Sequence, residues 1–129
     1  MEYTKTWNTV EVSPGIVSFS FFQSPEGMSQ EDFQEYWFCS HTPFALDIHP
    51  LWRYERNVVA EALTPDAPNY AGIVPLHLEN DSDLNFNNFF SGDGNNPIAT
   101  SLRVQADVSN FIDLSKIETT AMREYVLVD

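Results

Sequence analysis

The chain has 129 residues and a formal net charge of −13, with 19 acidic residues against 6 Lys and Arg. Its length fits one domain, and its 43% apolar and 14% aromatic residues are enough for a packed core, which excludes an intrinsically disordered chain. The negative charge repels phosphate groups, so we expect neither nucleic acid nor an anionic membrane surface as a partner.

The sequence motifs exclude several further classes of protein. No apolar run reaches the ~18 residues of a membrane span. Met1–Lys5 lacks a basic region followed by an apolar one, so we expect no signal peptide and a cytoplasmic protein. The single Cys39 excludes an internal disulfide. The glycines form no phosphate-binding loop and the histidines lack metal-site spacing, so we expect neither a metal nor a nucleotide cofactor.

The first elements are easily located. Residues 1–14 predict a polar N-terminal arm before a single domain over 15–129. The β-branched and aromatic stretch Ile16–Phe22 predicts a strand. Ser29 predicts the N-cap of a helix. This helix should end before Pro43, because the residue that precedes a proline is disfavoured in the αR conformation.

Two strands follow. Leu51–Ala60 predicts a second strand, whose alternation puts Trp52 and Tyr54 on one face. Ala71–Glu79 predicts a third strand. Since Pro75 cannot donate to a ladder, we expect this third strand at a sheet edge or with a bulge.

The C-terminal half has weaker signals. Asn80–Phe90 predicts a short helix capped by Asp81 or Ser82, Ile98–Ser109 is an ambiguous and partly helical segment, and Ala121–Val128 predicts a final strand. The order β-α-β-β-α-β is that of the ferredoxin-like α+β fold.

Spaced identities, in the same order as these elements, are similar to a known family pattern. They lie in the segments 27–37 (GMSQEDFQEYW), 41–43 (HTP), 51–54 (LWRY), 106–107 (AD), 111–113 (FID) and 123–126 (REYV). Over about residues 16–128 the chain resembles the EthD family of dimeric α+β barrels.

The resemblance implies a ferredoxin-like fold in which the sheet of one subunit faces that of a second copy, so we expect a homodimer. It also implies a pocket between sheet and helices and chemistry without a cofactor. Relatives of this kind include polyketide cyclases, dehydratases, decarboxylases and a methylmuconolactone isomerase. The expected activity is therefore a cofactor-independent lyase or isomerase reaction on a small polyketide-like or aromatic intermediate of secondary metabolism.

Histidines are the leading catalytic candidates, because an imidazole ordinarily exchanges its proton near neutral pH. His41 shares a helical face with Trp37, and the resemblance favours a catalytic base over a histidine that merely ends the helix. His77 is either a second acid or base, or a structural strand residue. Asp107 either orients His41 or caps a helix, while His49 is expected to face solvent in a turn.

Aromatic residues are the candidates for substrate binding. Trp37, Tyr54 and Trp52 offer flat rings and polar tips, and Phe33 and Phe44 offer apolar walls. Asp107 is included because it could hold a ligand hydroxyl. The alternative for the aromatic residues is packing in the core or in the dimer interface.

The expected mechanism is removal by His41 of a proton next to a carbonyl, with Tyr54 or His77 stabilising the enolate oxygen. Two alternatives remain open. A catabolic isomerase of the methylmuconolactone type would need a cationic anchor for a carboxylate substrate. A non-catalytic binding or accessory protein would use the same aromatic pocket without turnover.

Overall fold

The computed structural model describes residues 12–127. Most of the predicted N-terminal arm, and Val128 of the predicted final strand, lie outside this range. Within it, five strands form one antiparallel sheet with the order β2-β4-β1-β5, and β3 pairs with β4 beyond the end of β2. The strands are β1 Ile16–Phe22, β2 Leu51–Tyr54, β3 Asn57–Val58, β4 Gly72–Leu78 and β5 Glu118–Met122.

Helices cover one face of the sheet. The helical segments are α1 Gln30–Glu35, a π-helical segment Tyr36–His41, α2 Thr42–Ile48, α3 Phe86–Phe89 and α4 Pro97–Val108, with short 3₁₀ turns at Asp81–Leu84 and Leu114–Lys116. Chain order and strand order together are those of a ferredoxin-like α+β fold, which confirms the predicted fold class. None of the helices within residues 12–127 has the length and apolarity needed to cross a bilayer.

The predicted end of the first helix is wrong. Ser29 caps α1 as expected, accepting a hydrogen bond from the Asp32 amide, but helical structure continues to Ile48. The amide and hydroxyl of Thr42 both donate to the Trp37 carbonyl, five residues earlier. This wide turn lets Pro43 stand in the first turn of α2, where its missing N–H is not needed.

The second strand also departs from the prediction. It breaks between Tyr54 and Asn57, and a register shift between Leu51 and Arg53 places Arg53 opposite His77 and Tyr54 opposite Leu76. Trp52 packs edge-on against the His77 ring. The prediction that Trp52 and Tyr54 share a face is therefore wrong, because the irregular register turns their side chains to opposite sides.

Pro75 does not mark a sheet edge. β4 is an interior strand, paired with β1 on one side and with β2 and β3 on the other. The gap between β2 and β3 lies opposite Val74 and Pro75. Because neither β2 nor β3 pairs with β4 at this point, the N–H that Pro75 lacks is not needed for a hydrogen bond between strands.

Smaller corrections concern the C-terminal half. The predicted helix over 80–90 is split, and Asn80 and Asn85 cap its two pieces in place of Asp81 and Ser82. The ambiguous segment is the regular helix α4, whose N-cap is Asn96. The final strand lies earlier than predicted, at Glu118–Met122, because it pairs with β1 from Phe21 back to Val17.

The core lies between the sheet and the first helices. Phe22 of β1, Phe33 of α1, Trp37 and Phe111 are almost fully buried and pack ring against ring. Gly72 of β4 makes this packing possible, since a Cβ there would lie 2.7 Å from the rings of both Phe22 and Trp37. The core therefore fixes the helical segment that carries His41.

Candidate functional site

A cavity of about 210 Å³ lies between the helices and the sheet. The sheet contributes Ser18, Ser20, Phe22, Tyr54, Val74, Leu76 and Thr119; the helices and their ends contribute Trp37, His41, Ala45, His49, Phe89, Val104 and Val108; the segment after α4 contributes Phe111, Ile112 and Ile117. The cavity is smaller than the roughly 300–1,000 Å³ of a drug-sized ligand site, so it suits a compact molecule. Its lining is mostly apolar, with a few polar groups from both layers.

His41 and Asp107 form a close pair at this cavity. Nδ1 of His41 lies 2.6 Å from Oδ2 of Asp107, and each side chain is 14% exposed. A carboxylate only accepts, so Nδ1–H donates and Nε2 is left as the basic nitrogen. The carboxylate thus fixes the tautomer and orientation of the ring, as the aspartate of a Ser-His-Asp triad does for its histidine.

Tyr36 and Asn110 extend this pair into a chain of hydrogen bonds. The Tyr36 hydroxyl donates to Oδ1 of Asp107 over 2.7 Å, and the Asn110 amide donates to the Tyr36 oxygen over 2.9 Å. Burial, followed by the bond to Asp107, raises the pKa of Tyr36, so its proton stays in place. Asp107 is therefore held from both oxygens.

A second polar cluster lies at Tyr54. The Trp37 indole N–H donates to the Tyr54 oxygen over 3.0 Å. The Thr42 hydroxyl, 3.4 Å from the same oxygen, already donates to the Trp37 carbonyl. The indole only donates, so within the described residues the Thr42 oxygen, at this long distance, is the one acceptor near the Tyr54 phenol proton. Tyr54 can therefore donate that proton in a hydrogen bond to a ligand oxygen in the cavity.

His49 does not face solvent as predicted. It is 8% exposed and lines the cavity. Nδ1 of His49 donates to the Phe89 carbonyl over 2.7 Å, and its ring stacks on the Phe89 ring with the centroids 3.9 Å apart. The fold packs α3 against the end of α2. The residues next to His49 in the sequence give no indication of this contact, so its burial could not be predicted from them.

His77 and Trp52 lie on the other face of the sheet, away from the cavity. His77 is 1% exposed, and its Nε2 lies 3.5 Å from Glu55 and 4.0 Å from Glu124. Burial lowers the pKa of His77, although both carboxylates oppose this effect and Arg53 adds to it. The structure therefore does not bring the two predicted catalytic histidines together.

The predicted binding residues divide in the same way. Trp37 and Tyr54 line the cavity, and Asp107 reaches it through His41. Phe33 belongs to the buried core, and Phe44 packs beneath the Arg103 guanidinium, so neither contributes to the wall. Within residues 12–127, no cluster of three or more His, Cys, Asp or Glu side chains is arranged to hold a metal ion.

Fold and cavity together define a small α+β domain with a compact cavity beside a histidine–carboxylate pair. The EthD domain family matches residues 25–115, and the chain belongs to this family. An ethyl tert-butyl ether d (EthD) family protein from Bacillus halodurans C-125 has a similar structure, with a TM-score of 0.60 and 12% identity. The match covers 84% of this chain and 97% of that one, and at this identity it shows the fold alone. No curated protein matches.

Proposed function

We propose that this protein is a cofactor-independent lyase or isomerase that acts on a small, apolar, oxygenated molecule of polyketide-like or aromatic type. The observation that carries the proposal is the His41–Asp107 pair at the wall of a compact apolar cavity. A largely buried base whose orientation is fixed by a carboxylate is suited to proton abstraction next to a carbonyl.

The reaction begins when Nε2 of His41 removes a proton from the carbon next to the substrate carbonyl. The electron pair moves to the carbonyl oxygen and forms an enolate, while Asp107 stabilises the imidazolium. Tyr54 donates its phenol proton in a hydrogen bond to the enolate oxygen, supported by the Trp37 indole. Return of the proton at another atom gives isomerisation. Expulsion of a hydroxyl from the β carbon, with the imidazolium proton completing the water molecule, gives dehydration, and attack of the enolate carbon on a second carbonyl gives ring closure. A decarboxylation would run differently: loss of carbon dioxide forms the enolate, and protonated His41 returns a proton to its carbon.

The lining favours a neutral substrate. None of the described residues that line the cavity is Lys or Arg. A carboxylate substrate of the methylmuconolactone type would need such a cation at its anionic end. The cavity therefore supports the neutral polyketide-like substrate better than a carboxylate substrate. The second alternative, an accessory binding protein, differs from an enzyme in that it would bind such a molecule without converting it.

A direct test is deuterium exchange into α-tetralone, a compact bicyclic ketone with acidic protons next to its carbonyl. In heavy water at neutral pH, the protein should accelerate this exchange, and His41→Gln should remove about 10²–10⁴-fold of the acceleration. Ser40→Ala is the matched control, since Ser40 is exposed on the same helical segment. Equal rates for His41→Gln and the control would reject His41 as the base.

A homodimer is the second part of the proposal. The sheet face opposite the helices presents Phe19, Phe21 and Ile73, all only half-buried, and the exposed Met122. An apolar face of this kind is suited to a second copy of the chain. Sedimentation should give a dimer for the wild-type protein and a monomer for Phe19→Lys; a monomeric wild-type protein would contradict this part.

A further inference from the structure

His49 is a second imidazole in the cavity, and the mechanism above does not use it. It directly follows α2, the helix whose N-terminal end adjoins His41. Its ring lies on Phe89 and meets Phe90 edge-on. These contacts, with the bond to the Phe89 carbonyl, leave the ring little freedom to turn.

The hydrogen bond to Phe89 decides what His49 can offer a ligand. A backbone carbonyl only accepts, so the proton of the neutral ring resides on Nδ1. Nε2 then carries a lone pair and no proton. Burial lowers the pKa of His49 to about 4, so at neutral pH the ring is an uncharged acceptor.

The two imidazoles stand at different places along the cavity. His49 follows His41 by eight positions and lies at the opposite end of α2. His41 lies against Phe111, with ring centroids 4.8 Å apart, and His49 lies against Phe89. An elongated flat molecule between these two aromatic contacts would place one end near each histidine.

We propose that His49 is a specificity-determining residue, whose Nε2 accepts a hydrogen bond from an aromatic hydroxyl of the substrate. The preferred ligand is thus a compact fused-ring compound with a phenol at the His49 end. The assignment of the opposite, carbonyl-bearing end to His41 rests on the proposed function, but the hydroxyl preference of His49 can be measured without turnover.

The test compares three probes of nearly equal shape on the full chain at neutral pH: β-naphthol, β-naphthyl methyl ether and naphthalene. Only β-naphthol can donate a hydrogen bond. We expect it to bind about tenfold more tightly than the other two, as one well-placed hydrogen bond allows. Equal affinities for the three probes, or no binding of any, would overturn the proposal.

Two substitutions test whether His49 is the source of the preference for β-naphthol. His49→Asn keeps a donor for the Phe89 carbonyl but removes the acceptor at the Nε2 position, so the preference should vanish. His49→Gln returns a carbonyl oxygen near that position and should restore part of it. A preference that survives in His49→Asn would assign the acceptor elsewhere and contradict the proposal.

One measurement avoids any substitution. With isotope-labelled histidine in the wild-type protein, β-naphthol should shift the Nε2 resonance of His49, and the methyl ether should not. The same shift with both probes would contradict the hydrogen bond.

His41→Gln should keep the β-naphthol preference while losing exchange activity, so failure of the acid–base mechanism and failure of the His49 site are separable.

Discussion

The two faces of the sheet both carry a largely buried histidine, but the surroundings of the two rings differ. On the helical face, His41 pairs with Asp107 and borders a cavity. On the opposite face, His77 packs against the edge of the Trp52 ring, lies near the carboxylate of Glu55 and is not among the residues that line this cavity. Burial alone therefore does not distinguish the two imidazoles; the proposed role of His41 rests on its fixed tautomer and on the adjoining space for a substrate.

The largest effect should come from the partner of His41. Asp107→Asn replaces the carboxylate that holds Nδ1–H and stabilises the imidazolium, so deuterium exchange into α-tetralone should fall by at least ~10²-fold. Asp66→Asn, in an exposed loop, is the matched control. An Asp107→Asn rate equal to the control would remove the carboxylate from the mechanism.

The pH dependence of stability tests the environment of His49. Its pKa is about 4 in the folded protein and near 6.5 when unfolded, so between these values the unfolded chain binds the additional proton. The free energy of unfolding should therefore fall by about 3 kcal/mol from this residue as the pH drops from 6.5 to 4.

Urea denaturation at a series of pH values measures this contribution. The His49→Gln variant has no imidazole at this position, so the difference between it and the wild-type protein isolates the residue. Parallel curves for the two proteins across the whole window would mean that His49 titrates as an ordinary exposed histidine.

The core beneath the site should be sensitive to one methyl group. Gly72→Ala places a Cβ against the Phe22 and Trp37 rings, and we expect a loss of about 1–3 kcal/mol from overpacking. Denaturant unfolding checks this value. An unchanged midpoint would show that the rings move aside at little cost, and that the helix carrying His41 is held less firmly than the packing indicates.

The smallest effect should come from Tyr36→Phe. The change removes the hydrogen bond to Asp107 but keeps the ring, which stacks on Phe111. Exchange into α-tetralone should slow by about three- to tenfold. Tyr70→Phe is the control, since it loses a similar bond to Glu118 at the surface, outside the cavity; equal effects would deny Tyr36 a positioning role.

The sequence predicted local features well. The β-branched and aromatic composition of Ile16–Phe22 located β1 at its observed bounds, and Ser29 caps α1 as its side-chain chemistry requires. The order of elements was enough for the fold class. Trp37 and His41, four residues apart, both line the cavity because they belong to one helical segment.

Features that depend on contacts between distant parts of the chain could not be predicted from local sequence patterns. The register shift that separates Trp52 from Tyr54 is set by pairing with β4. The burial of His49 depends on α3, some 40 positions further along. The role of Tyr36 depends on Asp107, at the far end of α4. The sequence analysis named Asp107 as a residue that could orient His41, and the two side chains do meet; the bond between Tyr36 and Asp107 had no such signal.

The most direct test of the difference between the two faces measures deuterium exchange into α-tetralone for His41→Gln and His77→Gln side by side. Circular dichroism should first establish that both variants fold. We expect His41→Gln to lose the acceleration and His77→Gln to keep nearly all of it. If His77→Gln loses the acceleration while His41→Gln keeps it, proton transfer does not take place in the helical-face cavity, and the account is wrong.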